Sequence, residues 1–261
     1  MRIIGLDTST ATGGVALLEG DRLVGEYTLN VQRTTHAERL MPALERVMAD
    51  AGWDPAQGVD GIAVALGPGS FTGLRIGVVT AKALSYAWGV PVAGVPTLEA
   101  LAYQAGGYAP GGGVLLCPLL DARHGHVFCG AYAPGTAAPV LRQEARLRAL
   151  EEWLDSLDEL AAAKPADPAA PKADLRQAGG GPLVFVGDGA DLHWETVEQR
   201  FGPRAVRPPA GFRTLRSAAV EALGALRLRQ GQQDDPAGLA PLYLRQSEAE
   251  RKWAAKDRSP S

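Results

Sequence analysis

The chain holds only two cysteines, Cys117 and Cys129, among 261 residues. A disulfide-dense scaffold is excluded, and because both lie in apolar strand-like runs, two buried free thiols in a reducing compartment are expected. No stretch approaches 18 uncharged apolar residues, so no membrane span is expected. MRIIGLDTST enters a strand at once, without an apolar signal core, and a soluble cytoplasmic protein follows from that reading. There is no excess of basic charge either. Lys and Arg number 26 against 29 Asp and Glu, a formal net charge of -3. General affinity for nucleic acid or for an anionic membrane is therefore not expected, and any contact with RNA has to run through a partner or a local patch. Catalytic signatures are missing too. No GxSxG string occurs, and no glycine-rich run ends in GK[ST].

What is abundant is glycine, 32 residues, and its densest informative use is Gly67-Pro68-Gly69-Ser70-Phe71-Thr72-Gly73-Leu74-Arg75-Ile76-Gly77. This segment follows an apolar run from Val59 to Leu66 and precedes one from Val78 to Trp88. A strand, a tight turn and a helix N-terminus can cradle an anion through free N–H groups. Ser70 and Thr72 suit the capping position. The same glycines also permit a sharp turn and close approach of the helix to a neighbour. Gly73 and Gly77 lie four apart on one helix face, where a second helix could press. Both readings stand at this point.

Periodicity gives the frame. Strands are expected over Arg2–Asp7, Gly14–Glu19 and Arg22–Leu29, the last two joined by a Gly20-Asp21 hairpin. A helix capped by Thr34 or Thr35 runs to Ala51, with Leu40, Leu44, Val47 and Met48 on one face. The nearly all-apolar strand Val59–Leu66 should be central and covered on both faces. A helix over Thr72–Ala87, a strand over Val90–Val95 and a short helix capped by Thr97 complete a first lobe, residues 1–105. GGYAPGGG at 106–113 marks the boundary. A second, reduced lobe over 106–213 opens with strands Val114–Leu120 and His126–Tyr132 around the turn Asp121-Ala122-Arg123-His124-Gly125. A helix over Arg148–Ala163, a Pro/Ala/Gly-rich excursion over 164–181, a strand at Leu183–Val186 and, after the Gly187-Asp188-Gly189-Ala190 turn, a helix into Gln199 follow. A helix over Thr214–Arg229 and an extended Pro241–Arg245 close the fold as a segment, 214–245, that packs back on the lobes. Residues 246–261 form a charged, frayed tail. The order βββαβαβ, then a second strand-led half, does not fit an alternating nucleotide domain. It fits an α/β protein of duplicated actin-like ATPase (ribonuclease H-like) lobes, with Asp7 and Asp121 as pseudo-symmetric turn residues.

GLDTSTATGGVAL at the N-terminus, THAERLMPAL at 35–44 and GPGSFTGLRIG at 67–77 closely resemble the bacterial TsaB family, subunits of the tRNA threonylcarbamoyladenosine machinery also labelled glycoprotease-like. DAR at 121–123, VGDGA at 186–190 and PLYLR at 241–245 extend the resemblance to residue 245. It implies a non-catalytic partner, without a cofactor of its own, that pairs with a TsaD-type catalytic homologue through helices of the first lobe. A TsaE-type ATPase joins that pair, tRNA is engaged indirectly, and the chain alone forms a homodimer. The system threonylcarbamoylates N6 of adenosine 37 in tRNAs that read codons beginning with A. The interface expected on this basis comprises His36, Leu40, Leu44, Phe71, Gly73, Leu74, Gly77 and Thr80. If a nucleotide binds, Asp7, Thr8, Ser9, Asp121, Gly187, Asp188 and Gly189 are the residues to hold it, which keeps an ATP-dependent enzyme of the sugar-kinase or actin class as an alternative.

A metallopeptidase is the weaker alternative. The catalytic homologue carries paired histidines on its first long helix, whereas three and four residues after His36 stand Arg39 and Leu40. No metal or catalytic residue is expected.

Overall fold

The structure is a computed structural model that describes residues 1–30, 36–54, 58–109, 113–162 and 181–245. The expected caps Thr34 and Thr35, most of the 164–181 excursion and the tail from 246 lie outside the described residues.

Two five-stranded sheets share one topology. In the first, β1 (Arg2–Asp7), β2 (Thr12–Glu19) and β3 (Arg22–Asn30) form an antiparallel meander, and β4 (Gly61–Gly67) and β5 (Val92–Pro96) add in parallel to the order β3-β2-β1-β4-β5. The second sheet reads β8-β7-β6-β9-β10, from β6 (Leu115–Asp121), β7 (His126–Ala133), β8 (Val140–Ala149), β9 (Leu183–Val186) and β10 (Ala205–Val206). Three antiparallel strands joined to two parallel ones, twice in one chain, is the duplicated actin-like, ribonuclease H-like α/β arrangement. Gly20, with φ +66°, makes the β2–β3 turn, a conformation that only glycine adopts without strain.

The helices stack on these sheets as layers. α1 (His36–Asp50) and α2 (Phe71–Trp88) cover one face of the first sheet, where Leu40, Leu44, Val47 and Met48 pack with Ile4, Leu6, Val15, Leu17, Ile62 and Val64. Strand alternation sends Ile3, Leu18, Ala63 and Ala65 to the opposite face. There α3 (Thr97–Gly106) and α8 (Ser217–Arg229) fill the space between the two sheets, in one apolar cluster with Leu116, Leu120, Phe128, Val184 and Val186 of the second. α4 (Leu150–Ala162) and α6 (Trp194–Phe201) cover the far face of the second sheet around Trp153 and Phe185, whose rings meet edge-on at 6.0 Å. Short helices α5 (Asp188–Leu192) and α7 (Ala210–Arg213) and a 3-10 turn at Gly202–Arg204 complete the described elements.

β4 is central as expected, lying between β1 and β5 and buried on both faces. Several other local expectations are corrected. β8 is a ten-residue edge strand, not expected from the sequence, in which Arg142, Glu144, Arg146 and Arg148 alternate with Gln143, Ala145, Leu147 and Ala149; Ala145 and Leu147 pack on the interlobe cluster. The helix after Gly187 breaks at His193 into α5 and α6. Thr97 does not cap α3; Pro96 occupies the N-cap position, and the buried Thr97 hydroxyl has no hydrogen-bond partner. Pro241–Leu244 is irregular and pairs with no sheet.

Candidate functional site

β1 delivers Asp7, Thr8 and Ser9 to a turn that is fully buried. Asp7 Oδ1 accepts hydrogen bonds from the Ser9 backbone N–H (2.9 Å) and the Ser9 hydroxyl (2.7 Å), whereas Oδ2 has no partner. Burial pushes the Asp7 carboxyl up to about 6, against the opposing pull of the Ser9 bonds and of nearby His36. His36 opens α1, and its Nε2 lies 2.8 Å from the Thr10 carbonyl.

The glycine segment is built around this turn. The Ser70 N–H donates to the Ser9 carbonyl at 2.7 Å, and the Ser70 hydroxyl caps α2 by accepting from the Gly73 N–H at 3.2 Å. Thr8 Oγ1 donates to the Gly73 carbonyl at 2.7 Å. A Cβ at Gly69 would land on the Ser9 carbonyl, one at Gly73 on the Thr8 carbonyl, and one at Gly77 on the Thr8 hydroxyl. The groove that Gly73 and Gly77 leave on α2 is therefore filled from within by Thr8.

Five of the eight residues expected at a partner surface are buried in the lobe's own core. Gly73, Leu74 and Gly77 are buried inside the lobe, as are Leu40 and Leu44 of α1. His36 and Thr80 are half-buried, and Phe71 lies under Tyr243. A residue spent on its own core has no surface left for a partner. Apolar groups do face outward elsewhere on the same helices: Val79 (63% exposed) and Tyr86 (90%) on α2, and Met41 (38%) on α1. Val79 and Tyr86 are seven apart and so share one stripe.

The second lobe repeats the device. Asp121 Oδ1 accepts from the Arg123 N–H at 2.8 Å, and the Asp121 N–H donates to Asp188 Oδ1 at 3.1 Å. Burial raises the Asp188 carboxyl above its ordinary range, and the neighbouring Asp121 charge adds to this. Gly187 and Gly189 sit where a side chain would strike the backbone of Leu119, Leu120 and Asp121. Arg123, His124 and Gly125 take left-handed φ values of 62°, 55° and 72° in succession. For the first two, this is uncommon for residues with a side chain.

Between the lobes, at the C-terminal ends of β1, β4 and β6, opens a cavity of about 870 Å³. Ser9, Ser70, Phe71, Arg75, Asp121, Arg123, Asp188, Tyr243 and Arg245 are among its walls. Of the seven residues expected to hold a nucleotide, Ser9, Asp121 and Asp188 line this cleft. Asp7, Thr8, Gly187 and Gly189 stand behind its wall. Asp7 thus does not face Asp121 across the cleft; its turn folds back onto itself through Ser9. Tyr243 and Arg245 were not expected as site residues, although PLYLR was visible as a motif. Among the described residues no group of three His, Cys, Asp or Glu gathers in a way that could hold a metal. Both cysteines are buried free thiols, raised by desolvation, Cys129 to about 12.

The family model described as TsaD, tRNA N6-adenosine threonylcarbamoyltransferase, matches residues 30–253. The tRNA threonylcarbamoyladenosine biosynthesis protein TsaB of Bacillus subtilis is 33% identical over 97% of this chain and 98% of its own length. The chain belongs to the TsaB family. TsaB of Escherichia coli is 31% identical over 51% of this chain and 55% of its own. Among solved structures, YeaZ from Pseudomonas aeruginosa superposes with a TM-score of 0.71 at 27% identity, over 93% of this chain and 99% of that one. Agreement over nearly both full lengths places the two lobes, the glycine segment and the C-terminal segment within the family's common fold.

Proposed function

We propose that this chain acts in tRNA threonylcarbamoyladenosine biosynthesis as a non-catalytic partner that activates a TsaD-type transferase modifying N6 of adenosine 37. Membership of the TsaB family supports the process. The partner role rests on one observation: α2 carries its glycines inward, onto Thr8, and its Val79–Tyr86 stripe outward. A rim of exposed valine and tyrosine on a rigid helix is a docking surface rather than a reaction centre. His36 fits this reading. Its Nε2 is engaged by the Thr10 carbonyl, and the position one turn later, Leu40, is buried in the core. The partners are the transferase, a TsaE-type ATPase joined through the complex, and tRNA indirectly. The same stripe serves a homodimer of the chain alone, in the cytoplasm. No described helix is long and apolar enough to cross a membrane.

The test is reconstitution. The chain is mixed with the TsaD-type and TsaE-type proteins, a threonylcarbamoyl-adenylate-forming enzyme, ATP, threonine, bicarbonate and tRNA, and modified adenosine is counted. Omitting the chain should abolish modification. Val79→Asp with Tyr86→Ser should weaken heterodimer affinity by about 2 kcal/mol or more, roughly thirtyfold, the scale for truncating anchoring residues. Equal modification with and without the chain refutes the proposal.

A further inference from the structure

The lobes meet through α3 and α8, which share one apolar cluster with both sheets. On the other side of the molecule they are separated by the 870 Å³ cleft, and among the described residues one stretch of chain runs along one wall and across. Its path begins at Asp234, whose N–H donates to the Val92 carbonyl (2.9 Å) and whose carboxylate accepts from the Gly94 N–H (2.7 Å). Leu239 is buried in the core of the first lobe, and the Lys82 ammonium donates to the carbonyls of Ala237 (3.0 Å) and Leu239 (3.3 Å). The Leu242 N–H then donates at 2.7 Å to the carbonyl of Leu66, which sits where the β4–β5 register shifts between Ala65 and Gly67. Tyr243 stacks on Phe71 with ring centroids 4.8 Å apart, and its hydroxyl accepts from Arg75 Nε at 2.9 Å. Leu244 packs on the interlobe cluster. Finally the Arg245 guanidinium donates to the Ala122 carbonyl, in the left-handed turn of the second lobe.

We propose that Leu239 to Arg245 form an intramolecular clasp that sets how far the interlobe cleft opens. The two ends of this stretch are unequal. The first-lobe end is held by a buried leucine, a backbone hydrogen bond and an aromatic stack. Among the described residues, the second-lobe end is held by the Arg245 guanidinium on one carbonyl, with Leu244 packed on the interlobe cluster beside it. A device built this way releases at Arg245 and stays attached at Leu239. Where two-lobed folds close around a ligand, hinge motion follows the contacts that bridge the cleft. Here the chain supplies that bridge itself. Because Tyr243 lies on Phe71 and Arg75 in the first turn of α2, release also changes how the second lobe stands relative to that helix. The inference does not depend on which partner, if any, docks on α2.

The experiment places spin labels on Ala83→Cys and Glu152→Cys, both exposed, one on each lobe. Cys117 and Cys129 are buried and escape labelling. The full chain should give one narrow distance distribution. Arg245→Ala and, separately, Tyr243→Ser should broaden it toward longer distances, and Arg245→Lys should largely retain the narrow form. Amide exchange should speed up several-fold over residues 122–126 and stay unchanged in β1 and β4, which separates opening from unfolding. Should Arg245→Ala fail to fold, Tyr243→Ser carries the same comparison. Distributions that match the parent chain in the variants, or a parent distribution already as broad as theirs, overturn the clasp.

Discussion

Replacing Glu221 with glutamine should stabilise the protein relative to the parent chain, and by more as pH rises. Glu221 sits on α8 beneath β1, where Gly5 has no side chain and the helix backbone comes close. Its side chain is 1% exposed, and Oε1 has no hydrogen-bond partner. Desolvation pushes its carboxyl up to about 9, and the Glu26 carboxylate, held by Arg216 and by the Ala218 N–H, pushes in the same direction. A folded-state value raised above the unfolded 4.5 fixes the sign. Below the unfolded value both states are protonated and nothing is lost. As pH rises toward 9, the unfolded chain releases its proton while the folded one keeps it, so stability falls. The slope is about 1.4 kcal/mol per pH unit, so the loss from this one group between pH 5 and pH 8 is about 4 kcal/mol. Glutamine does not titrate and occupies the same volume. Urea unfolding of both proteins at pH 5 and pH 8 isolates the effect, since every other titration is common to them. The two should differ little at pH 5, and Glu221→Gln should be the more stable at pH 8 by most of that figure. Parallel pH dependences of the two proteins would refute the reasoning and mean that Glu221 finds a partner for its charge.

Asp7→Asn follows the same logic in a lower window. With the carboxyl raised from 3.8 to about 6, wild-type stability falls as pH rises through that interval, by about 3 kcal/mol in all. Asparagine can still accept the Ser9 bonds, so Asp7→Asn should be the more stable protein at pH 8. A less stable variant there would show that Oδ2 needs its charge, with His36 as its counterpart. Gly73→Ala forces a Cβ onto the Thr8 carbonyl and should cost about 2 kcal/mol, the scale of core overpacking, whereas exposed Thr72→Ala should change stability by less than ~0.5 kcal/mol. Thermal unfolding checks both. An unaffected melting temperature in Gly73→Ala would mean that α2 and the Thr8 turn are not in contact in solution.

What could be read from residues alone was the order and kind of elements where one side chain pattern meets one environment. β1, β2 and β3 declared themselves because alternating or continuous apolar residues end in Gly20-Asp21 and other turn residues, and α1 declared itself through Leu40, Leu44, Val47 and Met48. β8 did not, because its charged residues on one face, Arg142, Glu144, Arg146 and Arg148, outweigh the few apolar ones, Ala145 and Leu147, that pack inward on the other. Thr97 misled, because a threonine at the start of a helix is a cap only if its backbone stands outside the helix, and here Pro96 holds that position. The site was legible as motifs and illegible as geometry. Spacing says that Gly73 and Gly77 share a face. It cannot say whether a neighbouring helix or the protein's own Thr8 fills the space.

That difference decides how the glycine segment relates to function. Gly69 and Gly73 bring backbone against backbone, Gly77 makes room for the Thr8 hydroxyl, and two hydrogen bonds, Ser70 to Ser9 and Thr8 to Gly73, cross the gap. An anion site would need the segment's N–H groups free and aimed at the cleft. Two of them are already spent: the Ser70 N–H on Ser9 and the Gly73 N–H on the Ser70 hydroxyl. The segment is therefore better understood as the joint that fixes α2 to β1, and fixing α2 is what holds Val79 and Tyr86 in place on its outer side. Rigidity inside and exposed apolar residues outside are two consequences of one helix orientation, and under the proposed function the residues that identify the family act through the stripe they position.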